Sequence, residues 1–419
     1  MNEGIRSILD REIKMTMGCT DPGAIAYAAS KAASILDGSL RRINIVLSKN
    51  IYKNAAYVGI PVIKKYGIEY AALLGAMIKR PELKLSVLGE ISAEMQNNVD
   101  NYINEIPVTV ACSDTDETLY ISVTCISDAS GVTVVIREDY DQICHIEKDD
   151  QIIYHNEPQK VCKENSFDRW DFRSLYSAAL EEDMQEGSIL KYEEINKRAA
   201  MSNLPEDAGK YLQRILSLAD VPANDMANMA RIYVLNAGRM RMSGERAPIV
   251  SLAGSGNLGI TSMLAVSAVC DAIRKPPAER ERAIYLSVLI AAYIKSQMNR
   301  LTVMCGTAVA GAAGAAAATA YLMGGGCKEA EDAVNTVIGS IAGMLCDGAK
   351  ESCAFKVSFA AECAVMSGIM AVDKAGIRPG SGIITHDIDE NIRNLGYINN
   401  YGMKEADNIM LNILHSQKK

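Results

Sequence analysis

Aromatic residues are scarce in this chain of 419 residues, at 5% with a single Trp and four Phe, whereas Ala, Gly and Met are plentiful. That balance favours closely packed helices over the large cores of β-sandwiches. Histidine is also rare, at four residues, and no Cys-x-x-Cys pair occurs, so the usual spacings of a structural zinc site are missing. Dense basic charge is absent too. The net charge is −8, and the one short basic cluster (Arg274, Lys275, Arg280, Arg282) is interrupted by Pro276-Pro277 and interleaved with Glu279 and Glu281. It forms no uniform phosphate-binding stripe, so no nucleic-acid partner is expected. Met1 to Lys14 lacks the basic and apolar regions of an export signal, which leads to the expectation of a cytoplasmic protein.

Long hydrophobic runs are nearly absent as well. Leu301 to Cys327 carries no charge and is long enough to cross a bilayer. Ala and Gly dominate it, so its transfer into lipid is weakly driven, and a buried helix is expected instead of a membrane span.

What is present is a globular composition, 49% hydrophobic and 22% charged, with length enough for two or three domains. Eleven cysteines without an export signal read as reduced thiols or metal ligands. The pattern along the chain predicts an α+β fold: an N-terminal helical segment (1–40), a small mixed α/β domain (41–160) and a large all-α domain (168–419), with Val161 to Asp168 as linker. Ile5 to Met15 reads as a helix, then Gly18-Cys-Thr-Asp-Pro22 breaks the chain before a second helix to about Leu36. Period-two runs predict strands at Ile43–Leu47, Leu83–Leu88, Val108–Cys112, Leu119–Cys125 and Val132–Ile136, interrupted by helical segments at Ala55–Tyr66 and Ala71–Lys79. If Cys19 belongs to the active site, its helix in the N-terminal segment (1–40) must pack on the all-α domain rather than on the strand domain beside it in sequence. Beyond Trp170 the pattern is helical, with breaks at Gly187, Pro205, Pro222, Gly254–Gly259, Pro276-Pro277, Gly324–Gly326 and Pro379-Gly380.

Three constellations can carry chemistry. Cys346 and Cys353 are seven residues apart, about 10.5 Å along a continuous helix, so Asp347-Gly348 must break the helix if both thiols are to meet Cys305 at a metal centre. The plain alternative is that all three are small core residues. Next, Gly254-Ser-Gly-Asn-Leu-Gly259 formally matches GxGxxG, but no βαβ unit surrounds it. It reads either as an anion-binding loop offering Ser255, Gly256 and Asn257 to a carboxylate, or as a glycine-rich turn. Finally, Cys19 falls just before a helix N-terminus, with Thr20 and Asp21 beside it, where the helix dipole lowers a thiol pKa; a small residue in a turn is the alternative. Lys350 can hold a carboxylate or face solvent. Among the histidines only His386, after a glycine-rich turn, is a candidate base.

Taken together, Gly18-Cys-Thr-Asp-Pro22, Gly254-Ser-Gly-Asn-Leu-Gly259, Met304-Cys-Gly306 and Leu345-Cys-Asp-Gly-Ala-Lys350 with Cys353 resemble the L-cysteine desulfidase family, which is related to the iron-sulfur L-serine dehydratases. The resemblance spans nearly the whole chain, with Asp21 standing where many relatives have Glu. It implies a 4Fe-4S cluster held by Cys305, Cys346 and Cys353, no pyridoxal phosphate, and Cys19 as catalytic residue, acting as base or as a displaceable fourth ligand. It further implies β-elimination from a small amino-acid substrate, L-cysteine or alternatively L-serine, in a homodimer. Readings from other classes are a non-catalytic iron-sulfur or thiol sensor and a metal-free structural protein.

Overall fold

The computed structural model describes residues 3–113, 115, 117–156, 167–181, 188–299 and 301–416. Helix α1 (Glu3–Glu12) leads into a short strand β1 (Ile13–Met17) and then helix α2 (Thr20–Ile35). A mixed segment follows: β2 (Leu40–Leu47), α3 (Lys49–Ala55), α4 (Ile68–Ile78), α5 (Ala93–Glu105), β3 (Val108–Cys112), β4 (Tyr120–Ser127), β5 (Gly131–Arg137), β6 (Ile143–Lys148) and β7 (Gln151–His155). The rest is a helical body: α6 (Phe172–Glu181), α7 (Ser188–Met201), α8 (Glu206–Leu216), α9 (Ala223–Met242), a strand β8 (Pro248–Leu252), α10 (Gly256–Ala272), α11 (Pro277–Ser296), α12 (Gly306–Leu322), α13 (Cys327–Ile341), α14 (Ser352–Val372), α15 (Ile388–Tyr397) and α16 (Lys404–Ser416). The fold is therefore mixed helix and sheet, as the patterning predicts.

One six-stranded sheet runs in the order β3-β2-β4-β5-β6-β7, with β2 and β3 parallel and every other pair antiparallel. Ile43, Ile45 and Leu47 of β2 alternate onto its covered face and are fully or almost fully buried, each contributing roughly 1.5–3 kcal/mol of burial. They pack with Ala24, Ile25, Ala28 and Ala32 of α2. Sequence patterning locates β2 to β5 and misses β6, β7 and α5. Leu83–Leu88 is not a strand: the chain there forms 3-10 turns over Pro81–Glu90, broken at Lys84, whose φ is 47°. Its alternating Leu85 and Val87 are buried, which mimics a strand period without any partner strand. Ala55–Tyr66 is largely turn, the helix ending at Ala55.

The helical body is built around α12, in which every residue but Thr307 and Tyr321 is buried. Its Ala/Gly surface admits close helix packing, and the uncharged run is a core helix of 17 residues. Among the described residues one helix, α14, is long and apolar enough to cross a membrane, and half of its apolar window is buried in the protein. Predicted breaks at Pro205, Pro222, Pro276 and Gly326 become the N-cap residues of α8, α9, α11 and α13. The expected linker and the break at Gly187 lie mostly outside the described residues, apart from Phe167 and Asp168.

The N-terminal segment does not pack as one unit. Ile5, Ile8, Leu9 and Ile13 join the helical body's core, and β1 pairs antiparallel with β8, Ile13 opposite Leu252 and Met17 opposite Pro248. Helix α2, by contrast, belongs to the sheet's core. The segment thus straddles both halves, and only the N-terminal end of α2 reaches the candidate site.

Candidate active site

Four helices begin around one cavity of about 100 Å³. Cys19 is the N-cap of α2, Ser255 of α10 and Cys305 of α12, while Cys353 lies in the first turn of α14. All four residues line the cavity. Helix N-termini present unpaired backbone N–H groups and the positive end of the dipole, so this convergence favours anionic occupants such as thiolates and a carboxylate.

Local chemistry fixes each start. Ser255 Oγ accepts from Leu258 N–H at 3.3 Å and shares a 3.0 Å hydrogen bond with Thr307 Oγ1. Thr20 Oγ1 donates to Gly254 O at 3.1 Å, tying α2 to the turn that opens α10. A one-bridge ladder joins Met304 to Leu345; Cys305 N–H donates to Met344 O and Cys346 N–H to Val303 O, each at 2.7 Å. These bonds bring Cys305 and Cys346 together across 41 residues of sequence. The Asp347-Gly348 break then returns the chain, so that Cys353 Sγ donates to Gly348 O at 3.3 Å. Cys19, Val58 and Met242 pack with Ala349 and Cys353 in a small apolar cluster.

The cavity walls also carry Asp21, Asn54, Tyr140, Arg241 and Lys295. Asp21 is 4% exposed. Tyr140 Oη donates to its Oδ1 at 3.1 Å, Asn54 Nδ2 at 3.4 Å, and Cys19 Sγ approaches Oδ2 at 3.5 Å. Burial still raises the Asp21 carboxyl above its ordinary value, against the pull of Tyr140 and Asn54. The Cys19 thiol is pushed up to about 12 by burial, with Arg241 opposing the shift. A helix N-terminus alone predicts the reverse; here desolvation outweighs the dipole. Burial likewise pushes up Cys305, reinforced by Cys346 and Cys353, and pushes up Cys353, opposed by its bond to the Lys350 backbone and by Lys356.

Of the residues singled out from sequence, Cys19, Thr20, Asp21, Ser255, Asn257, Cys305, Cys346 and Cys353 all line this one cavity. Gly256 and Lys350 are not in its wall. Lys350 pairs with the Asp347 carboxylate, as does Lys356, which also donates to Leu345 O at 2.9 Å; these lysines brace the turn between two cysteines. Although burial opposes it, the two lysines hold Asp347 below the usual carboxylate range. His386 is exposed and lines no part of the cavity. Sequence reasoning missed Arg241, Tyr140, Asn54 and Lys295. Arg241 had a signal: it follows Ala230, Val234 and Ala237 at helical spacing on the buried face of α9, where an unpaired charge is out of place.

The thiol set suits an iron-sulfur cluster. Three thiols line one cavity, burial and repulsion between cysteines push up Cys305 and Cys353, and Lys356 opposes the shift at both; iron would supply further positive charge that favours their thiolates.

Comparison with known proteins shows the family to which the chain belongs. The model of the serine dehydratase alpha chain family matches residues 84–412. The chain is 36% identical to a UPF0597 protein of Methanocella arvoryzae, over 97% of this chain and 96% of that protein. It is 33% identical to a UPF0597 protein of Clostridium perfringens, over 100% of this chain and 99% of the relative. A match spanning most of the chain, together with relatives aligned end to end, places this protein in the serine dehydratase alpha chain family.

Proposed function

We propose that this protein is an iron-sulfur lyase that removes sulfide from L-cysteine by β-elimination, converting L-cysteine and water to pyruvate, ammonia and hydrogen sulfide. The observation that carries the reading is the meeting of Cys305, Cys346 and Cys353 with Cys19 in one small cavity at four helix N-termini. Three thiolates from Cys305, Cys346 and Cys353 would hold a 4Fe-4S cluster, which supplies a Lewis-acidic iron with an exchangeable position.

The chain's own groups handle the protons. Cys19 is the base that takes the α-proton. Its own proton has an acceptor in Asp21, 3.5 Å away, whose raised affinity for a proton suits it to hold one. Tyr140 and Asn54 fix the Asp21 carboxylate by hydrogen bonds. Loss of the α-proton and cleavage of the Cβ–S bond leave aminoacrylate, which tautomerises and hydrolyses in water. Thr20 and Ser255 shape the wall against the substrate, and burial of Cys19 and Asp21 excludes bulk water.

L-Serine dehydration is the second reading, favoured by the match to the serine dehydratase alpha chain family. Anaerobically reconstituted protein separates the two: sulfide and pyruvate released from L-cysteine support desulfuration, whereas pyruvate from L-serine alone refutes it. Iron and acid-labile sulfide should be present in the wild type and largely lost in Cys346→Ala; a cluster-free wild type would refute the cofactor.

A further inference from the structure

The α9 helix ends by placing Arg241 inside the protein, with 3% of the residue exposed. Its Nε donates to Gly18 O at 3.2 Å, and Nη1 donates to Asn257 Oδ1 at 3.0 Å while touching Met242 Sδ at 3.1 Å. Among the described residues no carboxylate is ion-paired with it, although its charge reaches Asp21, and Nη2 donates to no acceptor; the residue lines the cavity. A buried guanidinium without a counter-ion is costly unless an anion is supplied. Its fork matches a carboxylate in a bidentate manner.

We propose that Arg241 is the substrate-binding residue that takes the carboxylate of a small α-amino acid, with Gly256 and Asn257 serving the arginine rather than the substrate. The inference rests on the lyase reading for the identity of the substrate. A Cβ at Gly256 would lie 2.3 Å from Arg241 Nε and 2.9 Å from Cζ, so only glycine leaves room for the guanidinium to reach the cavity. Asn257 then orients it through Nη1. Asp21 and Asn54 line the same cavity, and their side chains are bonded to each other. Ser255, whose hydroxyl is engaged with Leu258 N–H and Thr307, is a helix cap in this arrangement. The occupant is thus a small α-amino acid anchored by its carboxylate at Arg241.

The test uses the anaerobic, cluster-loaded protein and calorimetric titration with L-alanine, which carries both charges but no β-leaving group, against L-alaninamide, which lacks the carboxylate. Wild type is expected to bind L-alanine and to discriminate strongly against the amide. Arg241→Gln should lose L-alanine affinity by roughly 30-fold or more, the range for a charge-assisted bond, and Arg241→Lys should recover part of it. Gly256→Ala keeps the charge but displaces it, and should show the same loss of discrimination. Iron content and unfolding transitions establish that each variant is folded and loaded; should Arg241→Gln fail to load, Gly256→Ala and Arg241→Lys decide. Unchanged L-alanine affinity in a loaded variant, or no preference for L-alanine over its amide in wild type, overturns the proposal. Failure of wild type to make pyruvate from L-cysteine or L-serine would instead overturn the lyase reading, and leaves the carboxylate assignment to the binding data.

Discussion

Substituting Gly348 by Ala should dismantle the turn that carries two of the three cysteines. Gly348 has φ +97°, and a Cβ there would sit 2.2 Å from the Lys53 carbonyl oxygen and 3.1 Å from its carbon. A left-handed backbone costs a non-glycine residue about 1–2 kcal/mol, and forcing a methyl into occupied space costs about 1–3 kcal/mol more. The neighbour cannot yield cheaply: Lys53 is 2% exposed and its ammonium is ion-paired with Asp407 of α16. The sum, about 2–5 kcal/mol, is a large part of the 5–15 kcal/mol that holds a typical domain folded. Because Cys353 Sγ donates to Gly348 O and Cys346 lies two residues before it, the first readout is iron per chain in anaerobically purified protein, followed by denaturant unfolding. Gly324→Ala is the control, since Gly324 has φ +90° but nothing within 4 Å of the added Cβ; it should cost only the backbone term and keep its iron. If Gly348→Ala retained iron and unfolded like Gly324→Ala, the turn would not be clamped against α3 and the steric argument would fail.

Tyr140→Phe removes the 3.1 Å hydrogen bond to Asp21 and should lower kcat for the proposed elimination about 2–10-fold while leaving iron content unchanged; a variant at full rate would count against Asp21 as a proton acceptor. Because burial raises the Asp21 carboxyl above its ordinary value of 3.8, the folded cluster-free protein binds that proton more tightly than the unfolded chain. Its contribution to stability is complete below pH 3.8 and is lost as pH rises through the elevated value. Cluster-free Asp21→Asn should therefore gain stability relative to wild type as pH rises through that window, which paired unfolding curves would show; a pH-independent difference would refute the assignment. Ser255→Ala should destabilise by about 1 kcal/mol through loss of the α10 cap, measurable by denaturant unfolding.

The alternation of Ile43, Ile45 and Leu47 and the Ala-rich run of α12 specify elements locally, because one face of a strand or the whole surface of a core helix must be apolar wherever it ends up. Ile13–Met17 shows the limit. Its residues continue a helical pattern in sequence, yet β8, more than 230 residues away, offers an edge that pairs it as a strand. Leu83–Leu88 errs in the opposite sense, since alternation without a partner edge yields 3-10 turns. Cys19 was found at its helix N-terminus, but its thiol titrates against burial rather than with the dipole, and burial is a property of the packed molecule.

Residue types and their local order set which groups are available: thiols beside glycines, hydroxyls and an Asn at helix starts, and too few histidines for a histidine-rich metal site. Local backbone chemistry suffices for that, since caps and glycine breaks act over a few residues. Packing of the whole chain decided that four helix starts face one cavity and that Arg241 enters from α9 with no carboxylate ion-paired to it among the described residues. Those outcomes depend on desolvation and on contacts between segments hundreds of residues apart, which no local pattern encodes.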